Sequence, residues 1–199
     1  MIKKSIDNLL ISLYERTLRK KKNLIWKDLL KGFASLGFIS TIGNDFKFLN
    51  KKYVSIGQNF CAGDHFRLEA IDNHNQEIYT PQIRIGNNVS FEDFCHIGCI
   101  NSITIEDNVM IASKVFISDH SHGEINYQEL QKSPRLRKLY TKGSIVIKKN
   151  VWIGDNVSVL SNVTIGENSI IGANSVVIND IPSNSIAAGI PAKVIKSFS

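Results

Sequence analysis

From about residue 54, aliphatic or aromatic side chains return at every sixth position. One run is Ile85, Phe91 and Ile97, and after a two-residue slip it resumes at Ile105, Ile111 and Ile117. A third run is unbroken through Ile147, Ile153, Val159, Ile165, Ile171 and Val177, and the pair Ile56 and Ala62 fits the same spacing earlier. Four positions after these residues the side chain is mostly small or β-branched, as at Val89, Val115, Val151, Val163 and Ser175. Three positions after, Asn recurs at Asn88, Asn108, Asn150, Asn156, Asn162, Asn168 and Asn174. Neither a helical period nor strand alternation sustains a spacing of six. Asn tolerates the left-handed backbone region better than other residues with a Cβ, so each hexad reads as one short strand and one sharp corner. Stacked coils of such strands place each inward aliphatic over its counterpart one coil away, which predicts a solenoid of parallel strands. Spacing alone leaves the hand open, and the usual crossover rule favours a right-handed turn.

Two stretches, about 71–82 and 121–144, break the period and predict loops thrown out from the solenoid. Such loops either carry binding groups or are plain solvated insertions. Ahead of the repeats, Ile6, Leu9, Leu10, Leu13 and Leu18 recur at helical spacing among Lys and Arg. The chain therefore divides into a basic helical segment with its lead-in, residues 1–50, and a repeat domain, residues 51–199.

Composition sharpens that division. The 199 residues carry a net charge of +6, and residues 1–32 alone hold nine Lys/Arg against Asp7, Glu15 and Asp28. The rest is balanced, which argues against nucleic acid as a partner of the body. The basic helix either rests on an anionic membrane surface or packs with its charges in water, and Lys20-Lys21-Lys22 breaks its apolar stripe. No apolar run is long enough to span a bilayer and no secretory signal is visible, so Cys61, Cys95 and Cys99 read as reduced thiols of a cytoplasmic protein.

The run IGDNVSVLSNVTIGENSIIGANSVV, with DHSHG (Asp119–Gly123), NVWIG (Asn150–Gly154) and the closing IPSNSIAAGIPAKVIK (Ile181–Lys196), resembles the hexapeptide-repeat acetyltransferases. The likeness extends over roughly 54–196 and is nearest to the sugar and xenobiotic acetyltransferase branch. It implies an all-β fold, a left-handed parallel β-helix with three strands per coil. It also implies acetyl-CoA as co-substrate and a homotrimer whose active sites lie in clefts between neighbouring helices.

Five histidines are candidates for proton transfer near neutral pH: His65, His74, His96, His120 and His122. His120 sits in the hexad slot that Asn fills elsewhere, so it is there either for chemistry or because His also tolerates a left-handed corner. By resemblance, His120 is the general base that takes the acceptor hydroxyl proton as that oxygen attacks the thioester. Asp119 is a weak candidate to orient it, since adjacent residues of an extended chain rarely face each other. His96 and His122 are candidates to line the acceptor side, His122 alternatively sitting only at the loop root. His65 and His74 read as surface residues. A three-histidine zinc site requires a spacing that His120 and His122 do not match, so no metal is expected.

The resemblance places coenzyme A contacts at Trp152, Asp155, Ala173, Lys193 and Lys196. The two lysines suit phosphate groups, and Trp152 either walls the thioester channel or packs. Two positions that are often Thr-Lys in the family read Ile178-Asn179 here, which removes one phosphate cation. Asp93 and Asn101 fall where related enzymes bond a sugar hydroxyl. The sequence thus predicts an O-acetyltransferase acting on a sugar or glycan of surface-polysaccharide synthesis. Alternatives are N-acetylation of an amino sugar, O-acetylation of an antibiotic, and a trimeric scaffold without catalysis.

Overall fold

The computed structural model describes residues 11–14, 16–17 and 31–198. The chain separates into two units, 1–33 and 34–199. Residues 11–14 and 16–17 of the first are helical, and Ile11, Leu13 and Tyr14 are exposed. Most of the predicted basic helix lies outside the described residues. No described helix is long and apolar enough to cross a membrane.

The second unit is a left-handed parallel β-helix of six coils, each with three short strands on three faces. The first coil comprises Ser35–Leu36, Ile39–Ile42 and Lys47–Leu49, and the second Val54–Ile56, Phe60–Ala62 and Arg67–Ala70. Gln82–Ile85, Ser90–Phe91 and His96–Cys99 form the third, followed by Ser102–Ile105, Met110–Ile111 and Phe116–Ser118. The fifth is Ile145–Ile147, Trp152–Ile153 and Ser158–Val159, and the sixth Val163–Ile165, Ile170–Ile171 and Val176–Val177. Ser185–Gly189 then adds to the second face, and Ala192–Ser197 turns back antiparallel on it.

The hexad residues are the inward rungs. Ile85, Ile105, Ile147 and Ile165 pair in register on the first face, and Phe91, Ile111, Ile153 and Ile171 on the second. Ile97, Ile117, Val159 and Val177 do so on the third. All twelve are buried, so the core is one continuous aliphatic stack in which each coil is covered by its neighbours. The predicted Asn corners hold throughout: all seven have φ between 56° and 63°.

The helix begins at Ser35 and not at 51. Leu36, Ile42 and Phe48 are themselves six apart and stack on Ile56, Ala62 and Leu68. This coil lacks the repeated Asn corner, and a 3-10 turn at Lys51–Tyr53 lengthens its return, so its hexads carry no Asn mark in the sequence.

Both interruptions leave from the same place, the corner between the third face and the first face of the next coil. The shorter is a hairpin, Asn73–His74 against Glu77–Ile78. The longer contains the pair Ser121–His122 and Leu139–Tyr140, with a helical turn at Tyr127–Leu130 between them. The insertions bind each other: Asn75 Nδ2 donates to the Arg135 carbonyl at 2.8 Å, and the Leu139 N–H donates to the Tyr79 hydroxyl at 3.0 Å. Lys138 pairs with Glu77 across the same seam.

Candidate active site

His120 stands where the third-face strand Phe116–Ser118 ends and the longer insertion begins. It is not among the residues with positive φ, so the backbone explanation for a histidine in this slot is removed. Its side chain is largely enclosed, with 11% exposed. Nδ1 lies 3.1 Å from Asp119 Oδ1. Asp119 therefore does face its neighbour. The chain has already left the extended conformation there, and the alternation that would separate adjacent side chains no longer operates.

Asp119 is fully buried, with four donors on its carboxylate. Oδ1 accepts from the Ile100 N–H at 2.9 Å and from His120, while Oδ2 accepts from the Asn101 N–H at 2.9 Å and the Cys99 thiol at 3.2 Å. Burial opposes its ionisation, but His120, the two backbone N–H groups and Cys99 outweigh it and hold the carboxyl below its ordinary range. An ionised Asp119 can only accept, so the neutral His120 ring carries its proton on Nδ1 and leaves Nε2 bare. Burial and the adjacent carboxylate push the Cys99 thiol upward, so it stays a protonated donor. Cys95 is packing material: its thiol, pushed up to about 11 by burial, donates to the Ala112 carbonyl at 3.0 Å.

His96 is one coil above. A Cβ added at Gly98 would lie 3.1 Å from His120 Cε1 and 3.8 Å from His96 Nε2, so the missing side chain of Gly98 leaves a notch between the two rings. His96 Nε2 is 3.0 Å from Glu69 Oε2, and Glu69 also binds Lys47 at 2.6 Å and Arg67 at 2.7 Å. Burial works against the charge on Glu69, yet Lys47, Arg67 and His96 together lower its pKa. Burial and Arg67 lower the pKa of His96, which keeps that ring neutral.

A cavity of about 370 Å³ opens beside His120, lined by Ser118, Ser121, Lys142, Leu160, Ser161, Asn162 and Ile178. Every lining residue belongs to the third-face corner or its insertion. A wider groove of about 490 Å³ lies on the first face along Arg84, Thr104 and Lys149, away from the histidines. Among the described residues no cluster of His, Cys, Asp or Glu is placed to hold a metal ion.

The other candidates separate into two groups. Asn101 reaches the site, but through its backbone N–H. His122 is exposed on the insertion, its ring edge-on to His74 at 5.3 Å, and burial with nearby His74 and His120 lowers its pKa. Asp93 does not join the cavity. Its Oδ1 accepts from the Asp64 N–H at 2.7 Å and braces the corner between the second and third faces. Asp155 braces the same corner two coils on, accepting from the Ser113 N–H at 3.1 Å, and Ala173 lies beneath Gly154 there. Trp152 projects from the second face, 46% exposed, in register with Met110 and Ile170. Lys193 and Lys196 are exposed on the last strand, Lys196 lying over the Phe198 ring at 4.7 Å.

A six-coil solenoid of inward aliphatics and left-handed Asn corners, with a buried Asp-His pair at the root of an insertion, is the arrangement to set beside known proteins. The bacterial transferase hexapeptide (six repeats) model matches residues 144–179. WbbJ of Escherichia coli K12, named as an O-acetyl transferase of lipopolysaccharide biosynthesis, is 38% identical over 152 residues, covering 75% of this chain and 74% of WbbJ. The chain belongs to the hexapeptide-repeat acetyltransferases. Galactoside O-acetyltransferase of the same organism is 40% identical over 120 residues, 60% of this chain and 56% of that enzyme. Among solved structures, the hexapeptide-repeat acetyltransferase VCA0836 of Vibrio cholerae, complexed with acetyl coenzyme A, superposes with a TM-score of 0.56 at 25% identity. That match covers 85% of this chain and 73% of VCA0836. The family accounts for the left hand of the helix, against the ordinary crossover preference.

Proposed function

We propose that this enzyme moves acetyl from acetyl-CoA to a sugar hydroxyl, within a surface polysaccharide or its precursor. The observation that carries the reading is the buried Asp119–His120 pair opening onto a cavity with a polar lining. Nε2 of His120 takes the acceptor hydroxyl proton while that oxygen attacks the thioester carbonyl. The tetrahedral intermediate collapses with loss of the coenzyme A thiolate, which regains a proton. A positioned base contributes about 10²–10⁴-fold. Asp119 fixes the tautomer and stabilises the imidazolium as it forms.

Trp152, Asp155, Ala173, Lys193 and Lys196 serve acetyl-CoA in this reading, and His96 and His122 the acceptor. The coenzyme residues lie on the second face and its corner, whereas His120 lies at the third-face corner. A homotrimer that sets one chain's second face against its neighbour's third-face corner completes the site. The kinship with WbbJ supports a lipopolysaccharide-type acceptor.

The test is incubation with acetyl-CoA labelled with ¹³C at the carbonyl, an amino sugar and its hydroxyl analogue. An ester carbonyl signal on the hydroxyl sugar is the expected result. An amide signal alone makes the enzyme an N-acetyltransferase, and no transfer to any glycan overturns the reading.

A further inference from the structure

Among the described residues the buried charged ones are Glu69 and Asp119, each bonded to one of the two histidines that border the Gly98 notch. The outward positions Glu69, Gly98 and Ser118 of the third face stand in register, one coil apart. Gly98 carries no side chain, so this column is open between Glu69 on one side and Ser118 with His120 on the other. Neighbouring strands lie about 4.8 Å apart, so the strands of the two walls are about 10 Å apart, room for one sugar ring. His96 closes the flank, its Nε2 being 3.8 Å from where a Gly98 Cβ would sit and 3.0 Å from Glu69 Oε2.

Other carboxylates that pair with lysine on the solenoid stand in water: Glu106 is 35% exposed and Glu167 39%, against 11% for Glu69. Lys47, Arg67 and His96 each donate to Glu69, which leaves one of the four lone-pair positions of its carboxylate. On the far side of His120 the cavity reaches Leu160 and Ile178 of later coils, and the family resemblance gives the position of Ile178 to coenzyme A. The notch, on the earlier-coil side, is left to the acceptor.

Resting on the reading of the site as an acetyltransferase, we propose that the acceptor sugar lies in the Gly98 notch and that Glu69 selects it. Glu69 accepts a hydrogen bond from a second sugar hydroxyl while His120 takes the proton of the reacting one. The substrate that fits is a glycan unit with two free hydroxyls along one edge. A unit lacking the second hydroxyl forfeits a hydrogen bond to a charged group, which weakens binding about ten- to hundredfold.

The test measures dissociation constants, by ligand-observed NMR, for methyl galactoside, methyl glucoside and methyl mannoside, then for the monodeoxy analogues of the tightest binder. One analogue binds the wild type about ten- to hundredfold more weakly than its parent. In Glu69→Ala the parent weakens to the level of that analogue and the ratio falls to about one; in Glu69→Gln, which keeps the shape, it falls toward one. Both side chains face outward from the aliphatic stack, and either folded variant suffices. Affinity for acetyl-CoA, measured by calorimetry, stays at the wild-type value. The proposal is overturned if no hexoside binds, if the ratios are unchanged in the variants, or if only acetyl-CoA binding weakens. Equal weakening of every analogue also overturns it, since Glu69 then merely braces the face. Acetyl transfer to the bound hexoside reads the parent assignment separately: a sugar held through Glu69 but never acetylated refutes the transferase and leaves the subsite, and transfer indifferent to Glu69 does the reverse.

Discussion

The corner between the first and second faces is asparagine in five successive coils and again at the closing turn, and the amides form a ladder. Asn59 donates to Asn88, Asn88 to Asn108, Asn108 to Asn150, Asn150 to Asn168 and Asn168 to Asn184, at 2.9–3.2 Å. The corner after the third face has left-handed Asn only at Asn50 and Asn162. Between the second and third coils and between the fourth and fifth it is opened by the insertions, and between them the Ile100–Asn101 turn gives its N–H groups to Asp119. At the ladder each interior amide donates to the next coil and accepts from the one before, so the side chains are turned toward one another. At the open corner a buried carboxylate draws in the backbone N–H groups of Ile100 and Asn101, and the histidine it holds is left with a bare nitrogen. Regularity supplies stability, and in the proposed mechanism the interruption supplies the chemistry.

The sharpest break in this comparison is Asp119→Asn, which keeps the shape and removes the charge. An amide presents a donor as well as an acceptor and no longer enforces the Nδ1–H tautomer, so kcat falls by about 10²–10³-fold. Steady-state kinetics on the folded variant checks this, and a loss below threefold counts against the pair.

Acid is the next lever. Asp119 and Glu69 are both depressed in the folded state, so each adds stability above the ordinary carboxylate range. That stability fades as pH drops through their lowered values. The Tm should therefore decline below about pH 4, and less steeply in Glu69→Gln than in the wild type.

On the ladder the effects move to stability. Asn150→Ala loses two amide bonds and strains a backbone at φ 59°, costing about 2–3 kcal/mol by denaturant unfolding. Asn184→Ala, at the end of the ladder with one amide bond to lose, costs about 1–2 kcal/mol. Both should retain wild-type kcat once corrected for folded fraction. A kcat defect in either would mean that the two corners are coupled.

The regular part of the molecule was legible because its period is itself the structure. Each hexad aliphatic became an inward rung and each marked Asn a left-handed corner. The first coil is unmarked in the sequence because Leu36, Ile42 and Phe48 keep the spacing without the Asn markers. The open corner was legible only as a gap. Its partners come from separate coils: Asp119 meets Ile100 and Asn101 one coil away, and the rings of His120 and His96 both border the space that a Gly98 side chain would fill. Nor does any periodic signal show that the insertions bind each other through Asn75, Tyr79 and Lys138. Asp93, placed by likeness to sugar-binding positions, was claimed instead by a corner N–H that only the stacked coils bring to it.

In the proposed mechanism His120 is the base and the rest of the helix holds it in place. His120→Ala tests it most directly, with acetyl-CoA affinity measured by calorimetry and acetyl transfer measured on the same sample. The expected result is saturable binding near one site per chain in both proteins and a loss of transfer of about 10²–10⁴-fold in the variant. Transfer that survives the substitution, or a folded wild-type protein that does not bind acetyl-CoA, would contradict it.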